Sequence, residues 1–154
     1  MEPPGITSSD GRQSHVALEI AHGARRLLRA LGLASITELT LANGRRADIA
    51  AVNETGEIWM VEIKSSVEDF RADQKWREYR DYCDRLFFAV APGFALAILP
   101  EDAGLLVADR YGAEVLREAP LTPLAAARRK AMLIRIARAC AFRSHNASDP
   151  EEMV

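Results

Sequence analysis

Apolar residues recur at Ala17, Ile20, Ala21, Ala24, Leu27, Leu28 and Leu31, the spacing of one helical face. They predict a helix over about Val16–Leu31, with Gly32 as its C-terminal stop. The period then changes. Runs at about Ser35–Ala42, Arg45–Asn53 and Glu57–Lys64 predict three strands, with Asn43-Gly44 and Thr55-Gly56 as the turns between them. Ser65 and Ser66 offer caps for a second helix that reaches about Asp84, with Glu68 and Asp69 in its first turn. Leu86–Ala91 reads as a buried strand bounded by Pro92-Gly93, and the stretch from Phe94 to Pro100 fits a short helix or a strand. Leu105–Asp109 and Ala113–Arg117 predict a hairpin around Tyr111-Gly112, followed by a last helix over about Thr122–Phe142. Residues 1–13 and 144–154 read as disordered tails around one domain at 14–143. This order predicts an α/β fold, a mixed sheet with an antiparallel meander flanked by helices.

The second and third strands carry the candidate chemistry. A three-residue loop, Glu54-Thr55-Gly56, with Gly56 in the left-handed conformation, fixes their register. Val52 then faces Ile58, Ala50 faces Met60 and Asp48 faces Glu62; on the other side Ala51 faces Trp59, Ile49 faces Val61 and Ala47 faces Ile63. Every central pair is apolar except Asp48–Glu62. Two carboxylates directly opposite each other repel, and apolar surroundings raise the cost. A hard divalent cation with oxygen ligands, Mg²⁺ or Mn²⁺, would compensate. Lys64 lies two residues beyond Glu62 on the same strand face, where a lysine can orient an attacking water and stabilise charge on a phosphoryl transition state. The main-chain carbonyl of Ile63 is a further candidate metal ligand. Taken alone, Glu-x-Lys reads as an exposed ion pair; the apolar neighbours Trp59, Met60, Val61 and Ile63 argue against idle surface charge.

Composition narrows the partners. Hydrophobic residues make up 49% of the chain and charged residues 27%, enough apolar material for a core. The net charge of −2 offers no global attraction for nucleic acid, so a DNA partner must rest on a local patch. The last predicted helix supplies one: Arg128, Arg129, Lys130, Arg135, Arg138 and Arg143, with no acid between Leu121 and Arg143. A phosphate contact and a solvated helix face both fit. Cys83 and Cys140 suggest no disulfide framework. The polar start lacks the apolar core of a signal peptide, and no apolar run has the length of a membrane span, so a cytoplasmic protein with no membrane partner is expected. His15, His22 and His145 have no metal-ligand spacing, and Ser65 and Ser66 are better explained as caps than as nucleophiles.

Arg46-Ala47-Asp48-Ile49 followed by Val61-Glu62-Ile63-Lys64, on consecutive strands flanked by helices, resembles the PD-(D/E)xK nuclease superfamily, with Ala47 in place of the nominal proline. Asp69-Phe70, Asp73, Lys75-Trp76, Tyr79 and Cys83-Asp84, leading into Phe87-Phe88-Ala89-Val90, with Gly104-Leu105 and Arg128-Arg129-Lys130, are similar to the bacterial MmcB family of DNA repair-related proteins. The resemblance spans about Val16–Phe142. It implies a restriction-endonuclease-like core, a divalent metal and DNA repair. It also brings Glu19, on the first helix, as a supporting metal ligand, and Gln74 and Lys75 as polar residues near the catalytic strand; each reads equally as a surface side chain. The function expected is a metal-dependent deoxyribonuclease with Asp48, Glu62 and Lys64 at its centre, supported by Lys75 and Gln74. Arg46, Arg128, Arg129 and Lys130 would contact DNA. The alternative is a DNA- or partner-binding module that keeps the fold and cuts weakly or not at all. A homodimer or a repair-protein partner remains open.

Overall fold

The computed structural model describes residues 8–150. Its elements run α1 (Ser8–Ala30), β1 (Ala34–Thr40), β2 (Arg46–Val52), β3 (Ile58–Ile63), α2 (Val67–Ala72), a 3-10 segment (Lys75–Tyr82), β4 (Arg85–Val90), a 3-10 turn (Leu96–Ile98), β5 (Gly104–Ala108), β6 (Ala113–Arg117) and α3 (Ala126–Ser148). The six strands form one sheet in sequence order. β1–β2–β3 is an antiparallel meander, β3–β4 and β4–β5 are parallel, and β5–β6 is an antiparallel hairpin. This is the mixed α/β sheet flanked by helices that the element order predicts.

Two apolar layers hold it. Ile20, Ala24 and Leu28 of α1 pack on one sheet face against Ile49, Val61, Phe87 and Leu106. On the other face Phe70, Trp76, Tyr79, Met132 and Ile136 pack against Ile36, Ala50, Met60 and Phe88. Gly23 lets α1 approach the β5–β6 turn closely, since a Cβ there would sit 1.9 Å from the carbonyl oxygen of Asp109.

Three boundaries differ from the sequence reading. α1 starts at Ser8, inside the expected tail, upstream of the apolar stripe from which the helix is expected; residues 1–7 and 151–154 of the expected tails lie outside the described residues. The second helix ends early: Asp73 turns to φ −116°, ψ 103°, and a 3-10 segment follows. α3 runs from Ala126 to Ser148, so it starts later than expected and extends into the expected C-terminal tail. Asp84 explains the late start. Its main-chain carbonyl accepts from Thr122 N (2.9 Å) and its carboxylate from Leu124 N (2.8 Å), which holds that run extended. Among the described residues, no helix is long and apolar enough to cross a membrane.

Candidate functional site

The β2–β3 hairpin has the register expected of its loop. Gly56 adopts φ +88°, Gly56 N donates to Asn53 O, and Asn53 N donates to Glu57 O. The ladder then runs Val52↔Ile58, Ala51↔Trp59, Ala50↔Met60 and Ile49↔Val61. There it stops. At the next position the side chains of Asp48 and Glu62 replace the main-chain ladder. Asp48 N donates to Glu62 Oε1 (3.1 Å), and Ile63 N donates to Asp48 Oδ2 (2.8 Å). The expected Ala47–Ile63 pair is therefore absent from the ladder.

The neighbouring strand shares the irregularity. On β1, Ile36 and Leu39 are both buried in the layer under α3, three residues apart where a regular strand alternates every two. Between them Glu38 takes φ +51°, a left-handed conformation uncommon for glutamate. β2 resets in step: Ala47 packs with Ala50 in one layer while Ile49 and Ala51 pack in the other. Glu38 falls opposite Asp48 in the gap of the β1–β2 register, between Thr37↔Ile49 and Leu39↔Ala47.

A cleft of about 560 Å³ opens at this point, walled by Ala17, Leu18 and Ala21 of α1, Thr37 and Glu38 of β1, and Asp69, Asp73 and Tyr79 beyond β3. Arg46, Asp48, Glu62, Ile63 and Lys64 line it together. Glu62 is 3% exposed and Lys64 2%. Lys64 N donates to Ala89 O, continuing the parallel pairing with β4, and its Nζ lies 3.1 Å from Asp73 Oδ2. Tyr79 donates its hydroxyl to Arg46 O (3.2 Å). Ser66 caps α2 by accepting from Asp69 N, and Asp69 in turn accepts from Ser65 N, which fixes the chain just after β3.

The charges in the cleft follow from burial. Desolvation, then the charge of Asp48, hold the Glu62 carboxyl well above its ordinary range. Desolvation also raises Asp48, although the Ile63 N–H and the Lys64 charge oppose it. Burial pushes the Tyr79 phenol up to about 12, helped by the charges of Glu62 and Asp48. Asp73 goes the other way: burial raises it, but the Lys75 N–H and the Lys64 ammonium outweigh that and lower it.

Other expected residues lie elsewhere. Glu19 faces His15 (3.2 Å) on α1 and does not line the cleft. Gln74 donates to Phe70 O (2.9 Å) and lines a separate groove with Trp76, Arg77 and Arg80. The side chain of Lys75 also lies outside the cleft lining, and its main chain reaches the site only by donating to Asp73 Oδ1. Arg129 forms two 2.6 Å contacts with the buried Asp84 carboxylate and a bond to Gly56 O, so it closes the β2–β3 turn rather than awaiting a phosphate. Arg128 donates to Asp81 O and stacks 4.8 Å over Tyr82. Of the expected basic triplet, Arg128 and Lys130 are exposed and Arg129 is half-buried. The sequence reading missed Glu38, Asp69, Asp73 and Tyr79 as cleft residues. For Asp73 the missing signal is the helix break, since a helix continuing to Asp84 would carry it past Lys64.

The donors are hard oxygen atoms, and Asp48 and Glu62 suffer desolvation and mutual repulsion that a cation would relieve. Among the described residues no group of three His, Cys, Asp or Glu is placed to hold a metal ion. Asp48 and Glu62 are the residues that could hold an ion here, and water or substrate oxygen would have to complete its shell.

Residues 5–151 match the family model described as DNA repair protein MmcB-like. A solved structure of a protein of unknown function from Silicibacter pomeroyi is similar at 44% identity and a TM-score of 0.85, over 88% of this chain and 92% of that one. Among curated proteins none matches. The family match over nearly the whole chain places this protein in the MmcB-like DNA repair family.

Proposed function

We propose that the protein is a metal-dependent deoxyribonuclease acting in DNA repair. The observation that carries this reading is the break in the β2–β3 ladder, where half-buried Asp48 and buried Glu62 share one cleft with Lys64. Asp48 and Glu62 would hold Mg²⁺ or Mn²⁺, which when bound supplies an activated water and a polarised phosphoryl oxygen. The chain's own groups set the rest. The Ile63 and Asp48 N–H groups fix one oxygen of each carboxylate, so the pair is oriented before any ligand arrives. Asp73 holds the Lys64 side chain in place at the cleft, available to orient a water and to offset charge that grows on a phosphoryl oxygen. Arg46 lines the mouth as a contact for the phosphodiester.

A second reading, a DNA-binding module with weak or no turnover, draws on the Lys64–Asp73 pair. An ammonium tied to a neighbouring carboxylate must loosen that contact to serve a water. One experiment separates the two. Wild-type protein and Asp48→Asn are incubated with Mg²⁺ or Mn²⁺ and duplex, single-stranded, flap and junction DNA. Cleavage of any form by wild type, lost in Asp48→Asn, is expected. Binding without cleavage by wild type would hand the function to the second reading.

A further inference from the structure

The cleft is not an isolated hollow. It shares Leu18, Ala21 and Thr37 with a groove of about 770 Å³ beside α1, and Glu38 with a groove of about 380 Å³ between β1 and α3. Arg25, Arg26 and Arg29 line the first groove; Arg135, Arg138 and Arg143 line the second. β1 is an edge strand of the sheet, and it runs past all three hollows.

From these placements we propose that a DNA strand lies along the β1 edge, its phosphates held in the two arginine grooves that flank the Asp48–Glu62 cleft. This inference rests on DNA being the ligand of the proposed nuclease, and it adds which surface holds the strand and how it crosses the cleft.

Three observations support it. The first is charge. Among the described residues, no ion pair neutralises any of the six arginines. Arg129, Arg85, Arg80 and Arg45, by contrast, are each answered by a carboxylate.

The second is preorganisation. Arg25 donates to Ser35 Oγ and Ser35 O, Arg143 to Glu38 O, and Arg135 to Thr40 O. Guanidiniums from two different helices thus cap main-chain oxygens of the same edge strand. Each guanidinium has five N–H donors in a fixed fork, so these bonds position the group and leave donors for phosphate oxygens. The capping also blunts an edge that would otherwise invite another strand.

The third is length. The anchors run from Ser35 to Thr40, five residues or about 17 Å of extended chain. A DNA strand advances roughly 3.4 Å along the helix axis per phosphate. The two grooves therefore hold phosphates on both sides of one positioned over the cleft. The acidic centre would itself repel the backbone, and cationic grooves on both flanks offset that repulsion.

The test uses the uncleaving full-length variant Asp48→Asn and a fluorescent 20-base-pair duplex, with its single strand as a second probe. Affinity is measured across a salt series with and without Mg²⁺. Arg29→Glu and Arg138→Glu are the leading substitutions, because neither side chain bonds the main chain and folding should persist; circular dichroism checks this. Arg25→Ala with Arg135→Ala is the second pair. Lys130→Glu, exposed on α3 but outside both grooves, is the control. Each lost phosphate contact should weaken binding by about tenfold near 0.1 M salt and lower the log–log salt slope by about 0.9, and Lys130→Glu should do neither. Folded groove variants that keep affinity and slope would overturn the track and leave the nuclease reading standing. A protein that binds neither probe would overturn the track as well. Binding as described, without cleavage by wild type, would remove the nuclease reading and leave the track.

Discussion

Two acidic centres sit around β3, and they are built in opposite ways. Asp84, 2% exposed, is surrounded by donors: its carboxylate accepts from Ile58 N, Leu124 N and both terminal nitrogens of Arg129. Burial pushes its carboxyl up, but the Arg129 hydrogen bonds and the two main-chain N–H groups outweigh that, and its pKa falls below the ordinary value. Asp48 and Glu62 receive one main-chain N–H each, face one another, and have a lysine already shared with Asp73. Their pKa values rise. A carboxylate buried for architecture comes with its counter-charge. Two carboxylates set together with only a shared lysine are a pair whose charge an external cation would offset.

The contrast breaks most visibly if Arg129 is removed. Arg129→Ala leaves Asp84 buried with its countercharge gone, and removing one partner of such a pair costs about 3–5 kcal/mol. For a chain of this size the melting temperature should fall by roughly 6–20 °C, read by thermal unfolding in circular dichroism. A loss below about 1 kcal/mol would mean that the main-chain donors alone satisfy Asp84. Lys64→Ala, at the other centre, should act on chemistry instead. Removing a positioned charge-stabilising donor lowers turnover by about 10²–10³-fold, while DNA affinity in a binding assay stays near wild type because one lysine is a small share of the phosphate contacts. Equal losses of cleavage and binding would reassign Lys64 to a DNA contact.

The two centres were not equally legible in the sequence. The Asp48–Glu62 pair could be read because Gly56 sets the hairpin count and the two acids interrupt an apolar alternation. That alternation is broken by Glu38, and a left-handed glutamate carries none of the glycine or asparagine signal that usually announces one. The consequence for Ala47 was therefore hidden. Phe70, Trp76, Tyr79 and Cys83 keep helix-like spacing across the break at Asp73, because a 3-10 segment also brings residues three apart onto one face. The Asp84 centre was unreadable for a different reason. Its partner Arg129 is 45 residues away, and nothing local distinguishes that arginine from Arg128 or Lys130. A run of cations on a helix shows the charge, and only the fold shows which of them is already answered.

Divalent metal should sharpen the comparison further. An ion that binds the folded cleft and not the unfolded chain stabilises the protein by about 2.7 kcal/mol at a concentration one hundred times its dissociation constant. Mg²⁺ or Mn²⁺ should therefore raise the melting temperature of wild type and of Lys130→Glu alike, and Asp48→Asn should respond little. If Asp48→Asn gains as much as wild type, the ion binds somewhere other than the Asp48–Glu62 pair.

The smallest effect is the most diagnostic, because its sign is unusual for a buried polar residue. In metal-free protein, Asp48→Asn should stabilise the fold. Like charges directly opposite on a hairpin cost up to about 1 kcal/mol, and the amide removes one of them while still offering an oxygen to Ile63 N. The pH dependence follows from the directions of the shifts. A carboxyl whose pKa is raised on folding binds more protons in the native state than in the unfolded state. Stability therefore falls as pH rises from the ordinary carboxylate range through the raised native value. The penalty is absent below that range and fully present above it, so the advantage of Asp48→Asn should grow with pH. Asp84 has the opposite sign. Its lowered native pKa adds stability above the ordinary range that is lost as pH falls, so the deficit of Arg129→Ala should shrink in acid. Unfolding free energies of wild type and the two variants, measured in chelator from about pH 2.5, below the ordinary carboxylate range, to about pH 8, should thus diverge in opposite directions with rising pH, the Arg129→Ala gap opening in the acid part of that range. An Asp48→Asn advantage that stays constant, or reverses, would show that the two carboxylates share no destabilising charge.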